Sequence, residues 1–131
     1  MSDYGHHPTE IKATFESVKE YAALKGFEKI TAIWQPHKYS RTIDNLEEFI
    51  KCFEGAGELI ILPVWAAGES AREIDFKEKF KQYNLTMADK ITRTTNTITV
   101  VKDIKDLEIL DEGLIIGFGA GDITNQIRGT A

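Results

Sequence analysis

Apolar residues in this chain recur with two different periods, and the switches between them mark out the elements. Over residues 8–24, Ile11, Phe15, Val18 and Ala22 follow one another at spacings of four, three and four, which lines one face of a helix. Pro8 suits the first turn of that helix, and Gly26 is placed to end it. Residues 29–34 change to a period of two, with Ile30, Ala32 and Trp34 on one side and Thr31 and Ile33 on the other. That pattern predicts a strand buried largely on both faces. Leu46, Phe49, Ile50 and Phe53 predict a helix over 43–53 that stops near Gly55 or Gly57. Residues 58–64 read as a short apolar strand. Residues 69–83 read as a helix, with Ile74, Phe76 and Phe80 partly on one face. Residues 91–101 contain two strand-forming runs joined near Thr94-Thr95-Asn96. Residues 114–118 form a last apolar strand before Gly119-Ala120-Gly121-Asp122.

Helix and strand in alternation predict an α/β fold with a mostly parallel sheet flanked by helices, and some antiparallel pairing late in the chain. Three loops, 35–42, 64–70 and 119–124, then each follow the carboxyl end of a strand. Those ends share one edge of an open α/β sheet, and ligands bind there. The segment before the first helix could reach the same edge if a strand preceded it in a longer parent chain. The sequence has no internal repeat, low-complexity tract or linker.

Composition narrows the function classes. The 131 residues suffice for one domain, which buries about two-thirds of its unfolded surface. A net charge of −5 argues against nucleic acid as the main partner, since phosphate binding needs a basic face. Cys52 is alone, which excludes an intramolecular disulfide and a cysteine metal cage. The apolar runs are too short to span a membrane, and the start lacks a secretory segment.

All three histidines fall in two chemically dense segments. Ser2-Asp3-Tyr4-Gly5-His6-His7-Pro8-Thr9-Glu10-Ile11 offers a carboxylate, an aromatic face and two imidazoles at a helix start. The same residues also fit a capped helix start with exposed histidines. A metal site is the weakest reading, because no carboxylate or cysteine completes a zinc pattern. Gln35-Pro36-His37-Lys38-Tyr39-Ser40-Arg41-Thr42 concentrates three potential cations with hydroxyl and amide groups in one strand-to-helix loop. That is the chemistry of a carboxylate or phosphate site, to which the following helix start would add its amides. A solvated basic loop on an acidic protein is the alternative. The small-residue stretches Ala66-Ala67-Gly68-Glu69-Ser70 and Gly117-Phe118-Gly119-Ala120-Gly121-Asp122 allow close backbone approach, though tight turns explain either alone. The chain carries no Walker phosphate loop, no dinucleotide fingerprint and no G-x-S-x-G.

Together these motifs resemble the UDP-N-acetylmuramate–L-alanine ligases, a family of the ATP-dependent Mur ligases that build the peptidoglycan precursor. The family's Asp-Asp-Tyr-Gly-His-His-Pro-Thr-Glu-Ile resembles residues 2–11, and its Gln-Pro-His-Arg-Tyr-Ser-Arg-Thr resembles residues 35–42. The Ala-Ala-Gly-Glu loop at 66–69 and the Gly-Phe-Gly-Ala-Gly-Asp-Ile run at 117–123 follow in the same order. The likeness covers essentially the whole chain. It implies one domain, residues 1–131, equivalent to the family's C-terminal Rossmann-like domain without the UDP-binding and central ATPase domains. It also implies a bacterial cytoplasmic setting, neither nucleic acid nor membrane as partner, and no metal held by these residues.

The family's chemistry, as the resemblance implies it, joins L-alanine to UDP-N-acetylmuramate through an acyl phosphate made with ATP. ATP and Mg2+ would be held mainly by the central domain, so this chain alone is expected to be inactive. By motif match, Asp3 would take the ATP ribose hydroxyls and Tyr4 would flank the nucleotide. His6, His7, His37, Lys38 and Arg41 would face L-alanine and the reacting acyl group. Gly68, Glu69, Gly119, Gly121 and Asp122 are candidate loop contacts. Two positions depart from the family pattern: Ser2 stands for its first Asp, and Lys38 for its usual Arg, keeping charge but losing the bidentate fork. A paralogous ligase that reattaches recycled peptides to UDP-muramate shares a similar His-His-Pro start without the second motif. It is the runner-up, with a stand-alone anion- or nucleotide-binding module behind it.

Overall fold

The computed structural model describes residues 2–3, 7–93, 98–102, 105–110 and 113–119. The first helix, α1 (Pro8–Lys25), follows its apolar period: Ile11, Phe15, Val18 and Ala22 are buried, and Gly26 closes it in the left-handed region at φ 78. The period-two stretch becomes β2 (Ile30–Gln35), in which every residue is buried. The apolar run after it becomes β3 (Glu58–Ile61), also buried throughout. The last strand, β8 (Leu114–Gly119), pairs with β2 over six positions from Ile30↔Leu114 to Gln35↔Gly119.

Three strands escaped the sequence reading. The outermost, β1 (Ser2–Asp3), runs parallel to β8, so the first dense segment carries its own strand rather than needing one upstream. At the other edge, β4 (Leu85–Met87) has three residues, too few to express a period. Residues Lys105–Leu110 form β7, the third member of a small antiparallel sheet with β5 (Lys90–Arg93) and β6 (Ile98–Lys102). The expected pair of strands within 91–101 is thus present as β5 and β6; the turn between them lies outside the described residues.

The main sheet has the order β1-β8-β2-β3-β4, with every pairing parallel. The order decides which layer covers which face. From β1 to β2, β2 to β3 and β3 to β4 the chain always moves in one direction across the sheet. Right-handed crossovers then put all the intervening helices on one face. The return from β4 to β8 runs the other way, so β5–β7 must cover the opposite face. The core divides accordingly. Ala32, Trp34, Leu59, Ile61, Ile116 and Phe118 pack with Phe15 of α1 and with Phe49, Phe53, Phe76 and Phe80. Ile33, Ile60 and Leu62 pack with Ile91, Ile98 and Val100 of the small sheet. The α/β, Rossmann-like class expected from the sequence holds, with the antiparallel pairing serving as the second covering layer.

Two helices differ from expectation. Residues 43–53 are not one helix: α2 (Tyr39–Asp44) and α3 (Leu46–Lys51) meet at Asn45. The Asn45 amide donates to the Arg41 carbonyl at 2.9 Å and so competes with the backbone ladder. Residues 69–83 yield only α4 (Phe76–Lys79), whose start is capped by Asp75 accepting from Glu78 N–H at 3.2 Å. Residues 70–73 are exposed and have no apolar face to bury. Phe76 and Phe80 sit one turn apart against Trp34, at ring distances of 6.0 and 5.6 Å, and hold a single turn. The Cys52 thiol, past α3, donates to the Pro8 carbonyl at 3.2 Å and so ties that segment to the start of α1. Burial pushes that thiol up to about 11. No described helix is long and apolar enough to cross a membrane.

Gly26 and Gly113 both have positive φ, at 78° and 79°, but differ in space: a Cβ at Gly26 meets nothing, whereas one at Gly113 falls 2.5 Å from the Lys29 carbonyl. That carbonyl accepts from Leu114 N–H at the start of the β2–β8 pairing. Gly26→Ala is expected to cost about 1–2 kcal/mol, the left-handed penalty alone, and Gly113→Ala clearly more. Urea unfolding of the two variants checks the order.

Candidate functional site

The parallel sheet brings the carboxyl ends of β1, β8, β2 and β3 to one edge. Asp3 pairs with Phe118, and Gly119 lies beside Gln35. Past the strands, β2 and β3 stay joined. Leu62 N–H donates to the Trp34 carbonyl at 2.9 Å, Trp65 N–H to Pro36 at 2.7 Å, and Lys38 N–H to Trp65 at 2.8 Å. The buried Gln35 side chain adds a bond to the Pro63 carbonyl at 3.3 Å. This ladder forms in spite of two prolines because its backbone donors are Leu62, Trp65 and Lys38, and Pro36 and Pro63 only accept.

Both chains then leave the ladder through residues with positive φ, Lys38 at 66° and Ala67 at 51°. A non-glycine residue there carries strain of order 1–3 kcal/mol and persists only where its surroundings over-determine it. Lys38 is so fixed: its N–H is held by Trp65, and its carbonyl accepts from Thr42 N–H at 3.2 Å and the buried Thr42 hydroxyl at 2.8 Å. A second link then spans the two loops. Glu69 accepts from Ser40 N–H at 3.1 Å and from the Ser40 hydroxyl at 2.5 Å. Those bonds, the side-chain one first, hold the Glu69 carboxyl below its ordinary value, and the Lys38 charge adds to the effect.

This arrangement corrects the sequence reading at three points. The dense second segment is not a loop throughout; only residues 36–38 lie between β2 and α2, and Tyr39, Ser40, Arg41 and Thr42 form the first turns of α2. The start of that helix does not offer the Ser40 amide to a ligand, because Glu69 takes it. The cluster also spends one of its cations partly on itself: Arg41 Nη1 lies 2.8 Å from His37 Nδ1, and a guanidinium only donates, so Arg41 is the donor.

The structure therefore brings together the half-buried His37, Lys38, Ser40, Arg41 and Glu69, with the backbone of Asp3 and Gly119 on the same edge. Gly68, at φ 91, turns the chain into Glu69. His7 is placed differently. It is exposed and caps α1, its Nδ1 accepting from Thr9 N–H at 3.3 Å, which is the capped-start reading. Tyr4, His6, Gly121 and Asp122 lie outside the described residues. Among the described residues, no group of three or more His, Cys, Asp or Glu side chains is assembled to hold a metal. Sequence reasoning missed two partners. Trp65 is 41% exposed although its backbone is pinned on both sides; a bulky aromatic directly after a strand end was the available signal. The Ser40–Glu69 link left no signal, since 29 residues separate the pair.

A parallel sheet with Lys38, Arg41, Trp65 and small-residue turns at its carboxyl edge defines the chain as an α/β domain of the Rossmann-like class. No family model matches it. Named relatives do. The UDP-N-acetylmuramate–L-alanine ligase of Campylobacter curvus is 49% identical over 129 residues, which are 98% of this chain and 30% of that protein. The enzymes of the same name from Helicobacter pylori and from Campylobacter jejuni subsp. doylei are 51% and 52% identical, each over 98% of this chain, and it spans 29% and 28% of them. The chain belongs to the UDP-N-acetylmuramate–L-alanine ligase family and matches its C-terminal domain. It spans about 30% of the length of these relatives.

Two outcomes follow. Lys38→Gly removes the strain at φ 66 and should leave the melting temperature unchanged or higher, by about 1 kcal/mol of stability. The Glu69 link contributes fully above the ordinary carboxyl value of 4.5 and is lost as pH falls through its lowered folded value. Ser40 amide exchange, corrected for intrinsic rate, should accelerate only well below that pH. An unlinking already complete at 4.5 would contradict it.

Proposed function

We propose that this chain is the closing domain of an ATP-dependent ligase that joins L-alanine to UDP-N-acetylmuramate in bacterial cytoplasm. The observation that carries the reading is that Lys38 and Arg41 leave the carboxyl edge of the sheet together, in a domain about half identical to the named ligases. An ammonium and a guanidinium can share an amino-acid carboxylate, and the pinned backbone of Lys38 sets where its side chain begins. Arg41 also orients His37 by donating to its Nδ1 at 2.8 Å.

In this reading ATP phosphorylates the muramate carboxyl. The alanine amine then attacks the acyl carbon, the amide bond forms, the carbon–oxygen bond to phosphate breaks, and the amine loses a proton. Lys38 and Arg41 anchor the alanine carboxylate and offset the charge of the acyl phosphate beside it. Asp3, at the end of β1 next to the small-residue end of β8, is the residue assigned to the ATP ribose, with Tyr4 following it. In this reading Mg2+ and the ATP phosphates are held mainly by the rest of the enzyme. The chain by itself lacks the phosphate-binding parts and is inactive.

In the ligase polypeptide containing this chain, Arg41→Ala should raise KM for L-alanine, or for the muramate substrate, about tenfold or more. That is the loss of one charge-assisted hydrogen bond of about 1.5–3 kcal/mol. Unchanged KM values for both, in steady-state kinetics on folded protein, would remove Arg41 from the site.

A further inference from the structure

Glu69 feels the charge of Lys38, yet both of its carboxylate oxygens are engaged by Ser40. One oxygen accepts from the Ser40 amide and the other from the Ser40 hydroxyl. The helix it holds needs that support. With six residues, α2 is far below the length at which a helix sustains itself. Its own N-cap residue, Lys38, makes no capping bond with its side chain. The turn before it sits at φ 66 and ψ 138, a conformation that reverts when its neighbours release it. Glu69 supplies from another loop the cap that the local sequence omits. Its position is itself set by the tight turn from Ala66, whose carbonyl accepts from Glu69 N–H at 3.0 Å.

We propose that Glu69 is a positioning residue: by clamping Ser40 it fixes the spacing and direction of Lys38 and Arg41 toward the carboxylate of the incoming amino acid. This rests on the ligase reading above and deepens it, because Glu69 then acts on substrate only through α2. Without the clamp, the Ser40 amide loses its acceptor and the first turn of α2 unwinds. The two cations then spread over many orientations, and the ligand must order them at its own expense. The carboxylate anchor is remote from the bond being formed, so the loss falls on KM. A merely structural role would instead reduce the folded fraction, lowering the melting temperature and apparent kcat while leaving KM alone.

The test compares Glu69→Ala, Glu69→Gln and Ser40→Ala in the ligase polypeptide containing this chain, with the same variants of the 131-residue chain studied by NMR. Glu69→Ala is expected to raise KM for L-alanine about tenfold, with KM for ATP and kcat within about twofold and the melting temperature nearly unchanged. Glu69→Gln keeps an acceptor for the Ser40 amide and should restore most of the affinity. Ser40→Ala, which removes one of the two bonds, should fall between. In the NMR arm, Glu69→Ala should shift the Arg41 Nε and His37 ring resonances and accelerate Ser40 amide exchange. A lowered melting temperature with unchanged KM would overturn the proposal. So would unchanged Arg41 and His37 resonances. A raised KM in Glu69→Ala with none in Ser40→Ala would make Glu69 a direct ligand contact and overturn it as well. Absence of alanine-dependent turnover in the wild-type ligase would sink the functional reading instead, and the resonance shifts would still decide the clamp.

Discussion

Strand β2 is hydrogen-bonded along both edges and buried on both faces, and the placement of every other element follows from that constraint. Its six positions pair in register with β8, and four of them pair with β3 on the other side. One face of it ends in Trp34, on which Phe49, Phe53, Phe76 and Phe80 converge with ring distances from 4.8 to 6.0 Å. Helices α3 and α4 are docked by those contacts, and α1 by Phe15 against Phe53 and Phe118. The other face presents Ile33 to the small antiparallel sheet. A change in the register of β2 by one residue would exchange these two faces and disassemble both layers at once.

The carboxyl edge of the sheet inherits its geometry from the same strand. Because β2 and β3 run parallel, their carboxyl ends leave the sheet side by side, and the ladder through Pro36, Trp65 and Lys38 continues the pairing into the loops. The loops therefore behave as one rigid unit with two turns of positive φ and a carboxylate clasp between them. Strain stored at Lys38 is stable only because both of its backbone polar groups are taken.

The long elements and the general place of the site were legible along the chain. Residues such as Ile11, Phe15, Val18 and Ala22 carry their period openly, and Pro8 and Gly26 punctuate it. Segments dominated by longer-range contacts were not legible. The start of α2 is four residues earlier than the apolar pattern suggests, because a carboxylate 29 residues away caps it. Residues 69–75 are drawn out of helix because Glu69 is engaged elsewhere and nothing apolar there needs burial until Ile74. The contact between Arg41 and His37, both inside the second dense segment, likewise needed the turn from loop into helix to be known.

What the sequence determined by itself was the α/β class with its parallel strands and the chemistry available at their carboxyl ends. Period, capping residues and motif composition are local properties, and the parallel order follows from strands separated by helices. What only the tertiary structure decided was the state of each group in the site. It set which nitrogen of His37 accepts, where the Ser40 amide is spent, that His7 caps a helix, and that Glu69 clamps one. Each of those depends on a partner from another loop or on backbone angles that no local pattern encodes. Hydrogen bonds are made between atoms brought near by the fold, and the chain alone does not state those distances.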